Sequence, residues 1–449
     1  MTARPPTDPF SEPFWREAFA RLAAAVPDFA GRAGHLLTGF AACVDKLIHL
    51  HAMAPALKQE PAAHALFDAL MARAKAGRGG EVRIDWPGGP AFLDAFIKPG
   101  GMAVGGTSAQ AATVLASIGA PVVMALLDRS AEQLAVLHPA IRLIGGEGAL
   151  ISVGDAVPSG VGKPAHYIVE YAAGRPLPDF TPNRTTRIIV RFADEELEQD
   201  AMFETYGRGM GARAGAALVS SPNAVDAERL PGALDYVSSF ARAWKEAGLI
   251  VHLELGEFAV SGGLDQTLRR MSGLVTSIGL NFNEMPSVGL DPEIREAQWI
   301  ALAEGHGLSR LVVHADPWAL ALTRGEPERE LDALAMGCLL ASARAEIGKP
   351  VARPRAPTAA SFVRPPLPPI SPCTGSEWSL VCCPAPYLRN PASTIGLGDT
   401  FTAGTMLVHA GPLQPRVVAG PSGFLGLSSV AGRSHIPAAG LSARNSVES

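Results

Sequence analysis

Cysteine, net charge and long apolar runs are all scarce in this sequence. Its 449 residues include five cysteines, an odd number that contains the adjacent pair Cys382 and Cys383, and none of them has CxxC spacing. This usage argues against a disulfide framework and a CxxC metal site, and it favours a reducing cytoplasm. A formal net charge of −5 provides no field that would attract nucleic acid or an anionic membrane. We therefore expect no nucleic-acid partner and no membrane partner.

Membrane spans, secretion signals and redox fingerprints are lacking too. The apolar run 111–127 contains Gly119 and Pro121, so it falls short of the roughly 20 uninterrupted apolar residues that cross a bilayer. Residues 1–13 are rich in proline and polar residues, without the apolar segment of a signal peptide. No GxGxxG follows a first strand, which removes support for a nicotinamide enzyme. We expect a globular cytoplasmic protein.

Apolar segments alternate between strand-like and helical patterns along most of the chain. A helix is predicted over 14–26 and a first strand over 36–44, and 249–255, 274–280 and 311–314 are typical of buried strands. Helical stretches separate these strands. Such alternation implies right-handed crossovers and a mostly parallel sheet that helices cover on both faces.

A second group of strand-like segments interrupts this pattern. Residues 81–98 are predicted to form a hairpin that turns at Pro87-Gly88-Gly89, and 166–170 and 186–192 are predicted to form further short strands. We expect these pieces to build a small separate sheet. The Gly-, Ser- and Ala-rich segment 421–449 lacks periodicity and is expected to be a flexible tail.

The most informative motif is a glycine-containing turn before an apolar helix, TIGLGDTFTAG at 394–404. Such a turn directs backbone N–H groups to one place at a helix N-terminus, where the dipole favours a phosphate group. It therefore predicts an anion hole, and Asp399 offers the carboxylate that phosphoryl transfer to an alcohol needs within reach of the hydroxyl. A simple N-cap role for Asp399 is the structural alternative. The predicted anion-hole residues are Gly396, Leu397 and Gly398.

Acidic and imidazole side chains stand on two of the predicted buried strands. His252 and Glu254 lie two positions apart, so both point to one face of their strand. Asn281 and Glu284 follow directly on the strand that ends at Leu280. At the end of a sheet strand they can hold a hydrated metal ion over the crevice where α/β folds bind ligands. The structural alternatives are a paired core histidine for the first motif and turn or cap residues for the second.

Two segments in the first quarter of the chain suit a hydroxyl-bearing ligand. Asp45 follows the first apolar strand and can accept hydrogen bonds from two hydroxyls. Gly105 and Gly106 make a turn into a small-residue helix, and their lack of side chains permits a ligand to approach the backbone closely. An ordinary tight turn with an N-cap at Thr107 or Ser108 is the alternative.

Taken in order, these segments resemble the ADP-dependent glucokinases and phosphofructokinases within the ribokinase-like superfamily. The matches run from Gly39 to Gly404 and include the HxE strand at His252, the NxxE motif at Asn281 and the TxGxGDT turn. The resemblance implies an α/β protein, with a ribokinase-like three-layer α/β/α domain and a small β-sheet lid. The expected division is 1–45, 104–164 and 193–420 for the large domain, and 46–103 and 165–192 for the lid.

The resemblance also implies a reaction and a set of site residues. The β-phosphoryl group of ADP would pass to glucose or fructose 6-phosphate, giving AMP, with Asp399 as the base. The implied partners are a small-molecule sugar and a nucleotide, in a monomer or small homo-oligomer. The resemblance places a Mg²⁺ cofactor at Glu254, Glu284 and Asp399, nucleotide contacts at Asn281 and His314, and sugar contacts at Asp45, Gly105, Gly106 and Glu81.

Several alternatives stay open at the level of sequence. An ATP-dependent ribokinase-like kinase for a carbohydrate or nucleoside shares the GxGD and NxxE motifs, and a non-catalytic sugar- or nucleotide-binding protein would keep the fold. The run Thr107 to Gln110 departs from the Gln or Asn, Ala, Gly run of the family, so the sugar is not fixed. Arg184, Arg187 and Arg191 suit the phosphate of a sugar phosphate, or are solvated charges on a lid strand.

Overall fold

A computed structural model describes residue 8 and residues 10–192, 197, 199–258, 260–412 and 417–418. The predicted tail 421–449 lies outside the described residues. The strands are β1 (His35–Gly39), β2 (Cys43–His49), β3 (Gly80–Arg83), β4 (Ile97–Gly105), β5 (Val122–Met124), β6 (Arg142–Ile144), β7 (Leu150–Ser152), β8 (His166–Tyr171), β9 (Thr186–Arg191), β10 (Ala214–Ser220), β11 (Ile250–Glu254), β12 (Ser277–Asn281), β13 (Arg310–Ala315), β14 (Trp318–Thr323), β15 (Ile370–Pro372) and β16 (Ser379–Pro384).

Twelve α-helices connect these strands within the described part of the chain. They are α1 (Glu12–Arg32), α2 (Leu50–Gln59), α3 (His64–Lys75), α4 (Gly89–Asp94), α5 (Thr107–Ser117), α6 (Ala131–Val136), α7 (Ala201–Tyr206), α8 (Leu230–Glu246), α9 (Gly263–Met271), α10 (Glu296–Gly305), α11 (Pro327–Ile347) and α12 (Leu397–His409). No described helix has the length and apolar character to cross a bilayer.

The large sheet has eleven strands in the order β15-β16-β14-β13-β12-β11-β10-β1-β5-β6-β7. Its centre, from β6 to β13, is parallel, and the strands at both edges are antiparallel. Leu36 packs in a core with α1, α5, α11 and α12, whereas Leu37 packs with α8, α9 and α10 on the other face. Because side chains alternate along a strand, this separation confirms the predicted helix-covered parallel sheet.

The small sheet has five strands in the order β3-β9-β8-β2-β4. One of its faces packs on α2 and α3, where Ile188 and Val190 of β9 are buried. Arg187 and Arg191, one position away from these residues, line a cavity on the opposite face. The period-two pattern of β9 therefore turns its charged side chains towards the cavity.

Two sequence predictions about this region are wrong. The apolar segment 36–44 is not one strand, because Phe40 leaves it and packs on Phe240 and Trp244, with ring centroids 5.2 and 6.2 Å away. The chain then enters the small sheet as β2, which contains Asp45. The segment 81–98 is not a hairpin either, since α4 begins at Gly89 with a proline in its first turn, and β3 and β4 lie at opposite edges of the sheet.

Candidate active site

A cavity of about 450 Å³ opens between the small sheet and the ends of the central strands of the large sheet. This is where α/β folds bind their ligands. Its polar wall on the small-sheet side consists of Cys43, Asp45, Glu81, His166, Arg187 and Arg191. Its wall on the large-sheet side includes Gly106, Thr107, Ser220, Glu254, Gly396 and Asp399.

The turn before α12 adopts the geometry that its glycines permit. Gly396 is the N-cap residue with a φ of 65°, a left-handed conformation that L residues rarely adopt. A Cβ atom on Gly396 would also lie 2.7 Å from Arg344 Nη2. Leu397 and Gly398 form the first turn of α12, whose leading N–H groups have no acceptor within the helix. Gly396, Leu397 and Gly398 are therefore arranged as an anion-binding helix start would require.

Asp399 is the third residue of α12, not its N-cap, and its carboxylate faces the cavity. The Thr107 side chain lies on the same wall and interacts with this carboxylate. Burial raises the pKa of Asp399, and the charge of Glu254 raises it further, although Thr107, Arg344 and His314 act in the opposite direction. The N-cap alternative for Asp399 is thus contradicted, and its role as a base stays a prediction.

Glu254 ends β11 and is held by three side chains. Its Oε2 lies 2.9 Å from His252 Nε2 and accepts a hydrogen bond of 3.0 Å from Thr402 Oγ1, and its Oε1 lies 3.4 Å from His314 Nε2. Burial alone would raise the pKa of Glu254, but the two histidines lower it to about 2. Gly279 makes room for the contact between His252 and Glu254, since a Cβ atom on Gly279 would lie 2.3 Å from Glu254 Oε2. Glu254 is therefore a fixed anion on the cavity wall.

Asn281 and Glu284 cap the short 3-10 helix Phe282–Val288 beside the Glu254 carboxylate. The Asn281 side chain accepts from the Asn283 N–H, and Glu284 Oε2 accepts from the Asn281 N–H, each at 2.9 Å. Burial raises the pKa of Glu284, and the charge of Glu254 adds to the increase. Neither residue lines the cavity among the described residues. The structure thus contains the cap that the sequence left as an alternative, while the predicted metal and nucleotide roles stay untested.

His314 lies between Glu254 and the start of α12, and it does not line the described part of the cavity. Its ring centroid is 5.1 Å from that of Phe401, and a Cβ on Gly398 would lie 3.1 Å from its Cε1. Burial would lower the pKa of His314, but Glu254 outweighs burial and raises it. A nucleotide contact by His314 stays a prediction.

The predicted sugar residues lie on the cavity wall or directly beside it. Asp45 of β2 is buried. Gly105 of β4 gives its carboxylate room, because a Cβ atom on Gly105 would lie 2.2 Å from Asp45 Oδ1. Gly106 has a φ of 83° and begins the turn into α5. Glu81 lines the cavity with its carboxylate 2.6 Å from Arg191 Nη2. Asp45 and Glu81 share the small-sheet wall and Gly106 lies on the large-sheet wall, and the sugar contacts of these residues and of Gly105 stay predictions.

Arg344 is a residue of this site that sequence reasoning missed. It is 5% exposed on α11, and its guanidinium donates to Gly396 O, Thr400 Oγ1 and Gln110 Oε1 at 3.2, 2.9 and 2.8 Å. It therefore joins the turn before α12 to α5. The available signal was a charge on an apolar helical face, because the residues three and four positions earlier are Ala341 and Leu340.

Arg184, Arg187 and Arg191 are not equivalent. Arg187 and Arg191 line the cavity, and Arg187 Nη1 donates to Thr394 Oγ1 at 3.1 Å. Arg184 instead donates to the Gly77 carbonyl at 3.4 Å, and it is not among the described residues of the cavity wall. The phosphate-binding interpretation therefore has a geometric basis for Arg187 and Arg191 alone.

Known proteins similar to this chain were found by sequence. A family model described as the ADP-specific phosphofructokinase/glucokinase conserved region matches residues 35–408. A curated relative, the ADP-dependent glucose/glucosamine kinase of Pyrococcus abyssi (strain GE5 / Orsay), is 24% identical over 269 residues, covering 53% of this chain. The match spans 59% of that relative's length.

Solved structures are similar over most of the chain and show the fold. A phosphofructokinase from Pyrococcus horikoshii OT3 with AMP has a TM-score of 0.66 and 16% identity, covering 84% of this chain and 98% of that one. An ADP-dependent kinase in complex with fructose 6-phosphate and ADPβS has a TM-score of 0.71 and 15% identity, covering 88% and 98%. The resemblance and the ribokinase-like α/β fold predicted from the sequence are confirmed, and the chain belongs to the ADP-specific phosphofructokinase/glucokinase family.

Proposed function

We propose that this chain is an ADP-dependent hexose kinase that phosphorylates glucose, fructose 6-phosphate or both. The observation that carries the proposal is that Asp399 and Asp45 line one cavity at the N-terminus of α12. A phosphoryl acceptor held by Asp45 would then present a hydroxyl near a carboxylate and near unpaired helix N–H groups. Family membership and the names of the similar proteins support ADP as the donor.

The proposed reaction is an in-line displacement. Asp399 takes the proton of the sugar hydroxyl while its oxygen attacks the β-phosphorus of ADP. The bond from that phosphorus to the bridging oxygen breaks, and AMP leaves with the electron pair. The pKa of Asp399 is raised towards neutral pH, and a general base works best when its pKa lies near the working pH. The N–H groups of Leu397 and Gly398 are suited to hold the oxygens of the migrating group.

The acidic residues around Glu254 are the proposed holders of a magnesium ion. Glu284 and Asp399 have raised pKa values, first because of burial and then because of the nearby Glu254 charge, and a divalent cation would relieve that repulsion. Magnesium prefers oxygen ligands and keeps several waters, so one or two carboxylates suffice. Glu254 already binds two histidines and Thr402. We therefore assign Mg²⁺ to Asp399 and Glu284 with Glu254 in support; when bound, it neutralises nucleotide phosphate charge.

The small sheet is proposed to act as a lid. The hydrogen bond from Arg187, which lines the cavity, to Thr394 joins β9 to the turn before α12. Closure at this point would exclude water from the donor and suppress its hydrolysis. The domain limits expected at 46–103 and 165–192 stay a prediction, as does the cytoplasmic location.

Product analysis with purified full-length protein tests the proposal. Each donor, ADP or ATP with Mg²⁺, is combined with glucose, fructose 6-phosphate, ribose or a nucleoside, and AMP, ADP and sugar phosphate are quantified. We expect AMP and sugar phosphate in equal amounts with ADP and a hexose. Turnover with ATP alone would replace ADP dependence by an ATP-dependent kinase. Tight ligand binding without product from any pair would favour the binding-protein alternative.

Arg187→Gln is expected to lower kcat by about a hundredfold, because loss of one donor to transition-state charge has an effect of about 10²- to 10³-fold. The basis is the electrostatic interaction of Arg187 with both Asp399 and Asp45. Arg184→Gln, on the same lid segment but bonded to Gly77, is the matched control and should keep its activity. Steady-state kinetics with glucose and with fructose 6-phosphate separate two roles. A rise in KM for fructose 6-phosphate alone would make Arg187 a ligand of the sugar phosphate instead.

A further inference from the structure

Three metal-ligating side chains meet on the small-sheet wall of the cavity. Cys43 Sγ lies 3.6 Å from Asp45 Oδ1 and 3.4 Å from His166 Nδ1, and that nitrogen lies 4.0 Å from Asp45 Oδ1. Zinc–sulfur and zinc–nitrogen bonds of about 2.3 and 2.0 Å place the two ligand atoms of a tetrahedral ion about 3.5 Å apart. The cluster therefore has the size of three corners of a zinc coordination shell.

The fold holds these ligands on rigid elements. Cys43 and Asp45 are two positions apart on β2, so they share a face, and Asp45 pairs in register with His166 on β8. Gly105 pairs with Cys43 from β4 on the other side. A Cβ on Gly105 would lie 2.5 Å from Cys43 Sγ and 2.2 Å from Asp45 Oδ1, so glycine keeps the place open for both ligands. Ligands fixed on the two paired strands β2 and β8 require little reorganisation to bind an ion.

We propose that Cys43, Asp45 and His166 form an inhibitory zinc site whose fourth coordination position faces the cavity. All three residues line that cavity, so the ion is reached from it without unfolding. Binding forms bonds to sulfur, nitrogen and oxygen and releases the thiol proton to solvent, with no change of oxidation state. Zinc occupies Asp45 and thereby excludes the sugar; this competition rests on the proposed kinase function, whereas metal binding itself does not.

The chemistry of this cluster separates it from the magnesium site. Thiolate and imidazole select zinc or cobalt over magnesium, whereas the carboxylates proposed for magnesium are hard oxygen ligands. A thiolate and a carboxylate together neutralise the two charges of the ion. The interactions of Arg187 and Arg344 with Asp45 therefore do not produce a strong net repulsion of the bound metal.

Cobalt(II) is the probe for binding, because a thiolate ligand gives it a near-ultraviolet charge-transfer band and a tetrahedral site gives it strong visible bands. The full-length protein is titrated with Co²⁺ and then with Zn²⁺, without nucleotide or sugar. We expect both sets of bands with one Co²⁺ per chain, and their loss when Zn²⁺ is added. Cys43→Ala should abolish the near-ultraviolet band and weaken binding by more than about a hundredfold, since even outer partners of a metal site contribute about 10- to 100-fold.

Cys373→Ala is the matched control, because Cys373 is also a buried cysteine and lies beside β15, outside the cavity wall. It should keep the cobalt bands. If Cys43→Ala does not fold, His166→Gln carries the test and should lose the tetrahedral visible bands. Absence of a thiolate band in the unmodified protein, or its persistence in Cys43→Ala, would overturn the site.

Sugar competition is measured in the same preparations. Zn²⁺ should raise KM for the sugar in proportion to its concentration and leave kcat unchanged, and Cys43→Ala should lose this sensitivity. Inhibition that high sugar does not relieve would overturn the competition. Absence of any turnover with Mg²⁺ and ADP before zinc is added would instead reject the kinase proposal, while the cobalt bands would still report the metal site.

Discussion

Asp399→Asn is expected to lower kcat by about 10²- to 10⁴-fold, the range over which a positioned general base contributes. The amide has the shape of the carboxylate but cannot take the proton of the sugar hydroxyl. ADP binding should stay within about tenfold, because the base acts mainly in the transition state. The measurements are the rate of AMP formation with saturating substrates and the dissociation constant of ADP by calorimetry.

Asp235→Asn provides the control for this variant. Asp235 is exposed on α8 and pairs with Arg270, outside the cavity wall, so its substitution should leave both kcat and ADP binding unchanged. A kcat for Asp399→Asn within about tenfold of the unmodified protein would exclude Asp399 as the base. Loss of folding in that variant, read from circular dichroism, would mean that the contact between Asp399 and Thr107 is required for structure.

Arg310→Met is expected to reduce the free energy of unfolding by about 3–5 kcal/mol, the effect of removing one partner of a buried ion pair. Arg310 and Glu330 are 2% and 1% exposed, and Arg310 Nε donates to both Glu330 carboxylate oxygens at 2.9 Å. Burial would raise the pKa of Glu330, but Arg310 and His409 hold it well below its usual range. Without Arg310, the Glu330 charge is buried against His409 alone. Urea unfolding followed by fluorescence measures the loss.

The double variant Arg310→Met/Glu330→Leu identifies the cause. Replacing a whole buried ion pair by apolar residues is often neutral, so the double variant should regain most of the stability lost in Arg310→Met. A double variant no more stable than the single one would show that the loss comes from other contacts of Arg310. The candidate contact is its 3.2 Å hydrogen bond to Ser277 Oγ, which also lies 2.7 Å from His252 Nδ1.

That chain of contacts ties stability to the candidate site. Ser277 and His252 lie on neighbouring strands, and His252 in turn holds Glu254 on the cavity wall. The HxE pattern at His252 therefore contains the paired core histidine that the sequence left as an alternative, while a metal role for Glu254 stays a prediction. It is a satisfied core pair, and it fixes an anion that shifts the pKa of Asp399.

Local pattern was sufficient for several features of this protein. The glycine turn at Gly396 was predicted from glycines that stand just before an apolar helical segment, and the structure has that turn, with Gly396 in a left-handed conformation that glycine adopts readily. The buried strands β11, β12 and β13 were predicted from short apolar runs, which parallel strands need on both faces. These features depend on backbone conformation and on residues close in sequence.

Aromatic packing explains why the apolar segment before Asp45 forms two strands in two different sheets. The apolar segment 36–44 predicted one strand, but Phe40 is buried against α8, and this contact lies about 200 positions away in sequence. The strand therefore breaks, and Asp45 enters the small sheet. The hydrophobic periodicity of a short segment cannot reveal a contact with a residue so distant in sequence.

The α/β architecture, the glycine turn before Asp399 and the family could be predicted from the sequence, because they depend on local conformation, periodicity and ordered motifs. Contacts between side chains that are distant in sequence could not be predicted in this way. Arg344 reaches Gly396 from α11, and His166 meets Cys43 and Asp45 because β8 pairs with β2. Strand order and helix packing set these contacts, and both arise from the burial of apolar surface over the whole chain.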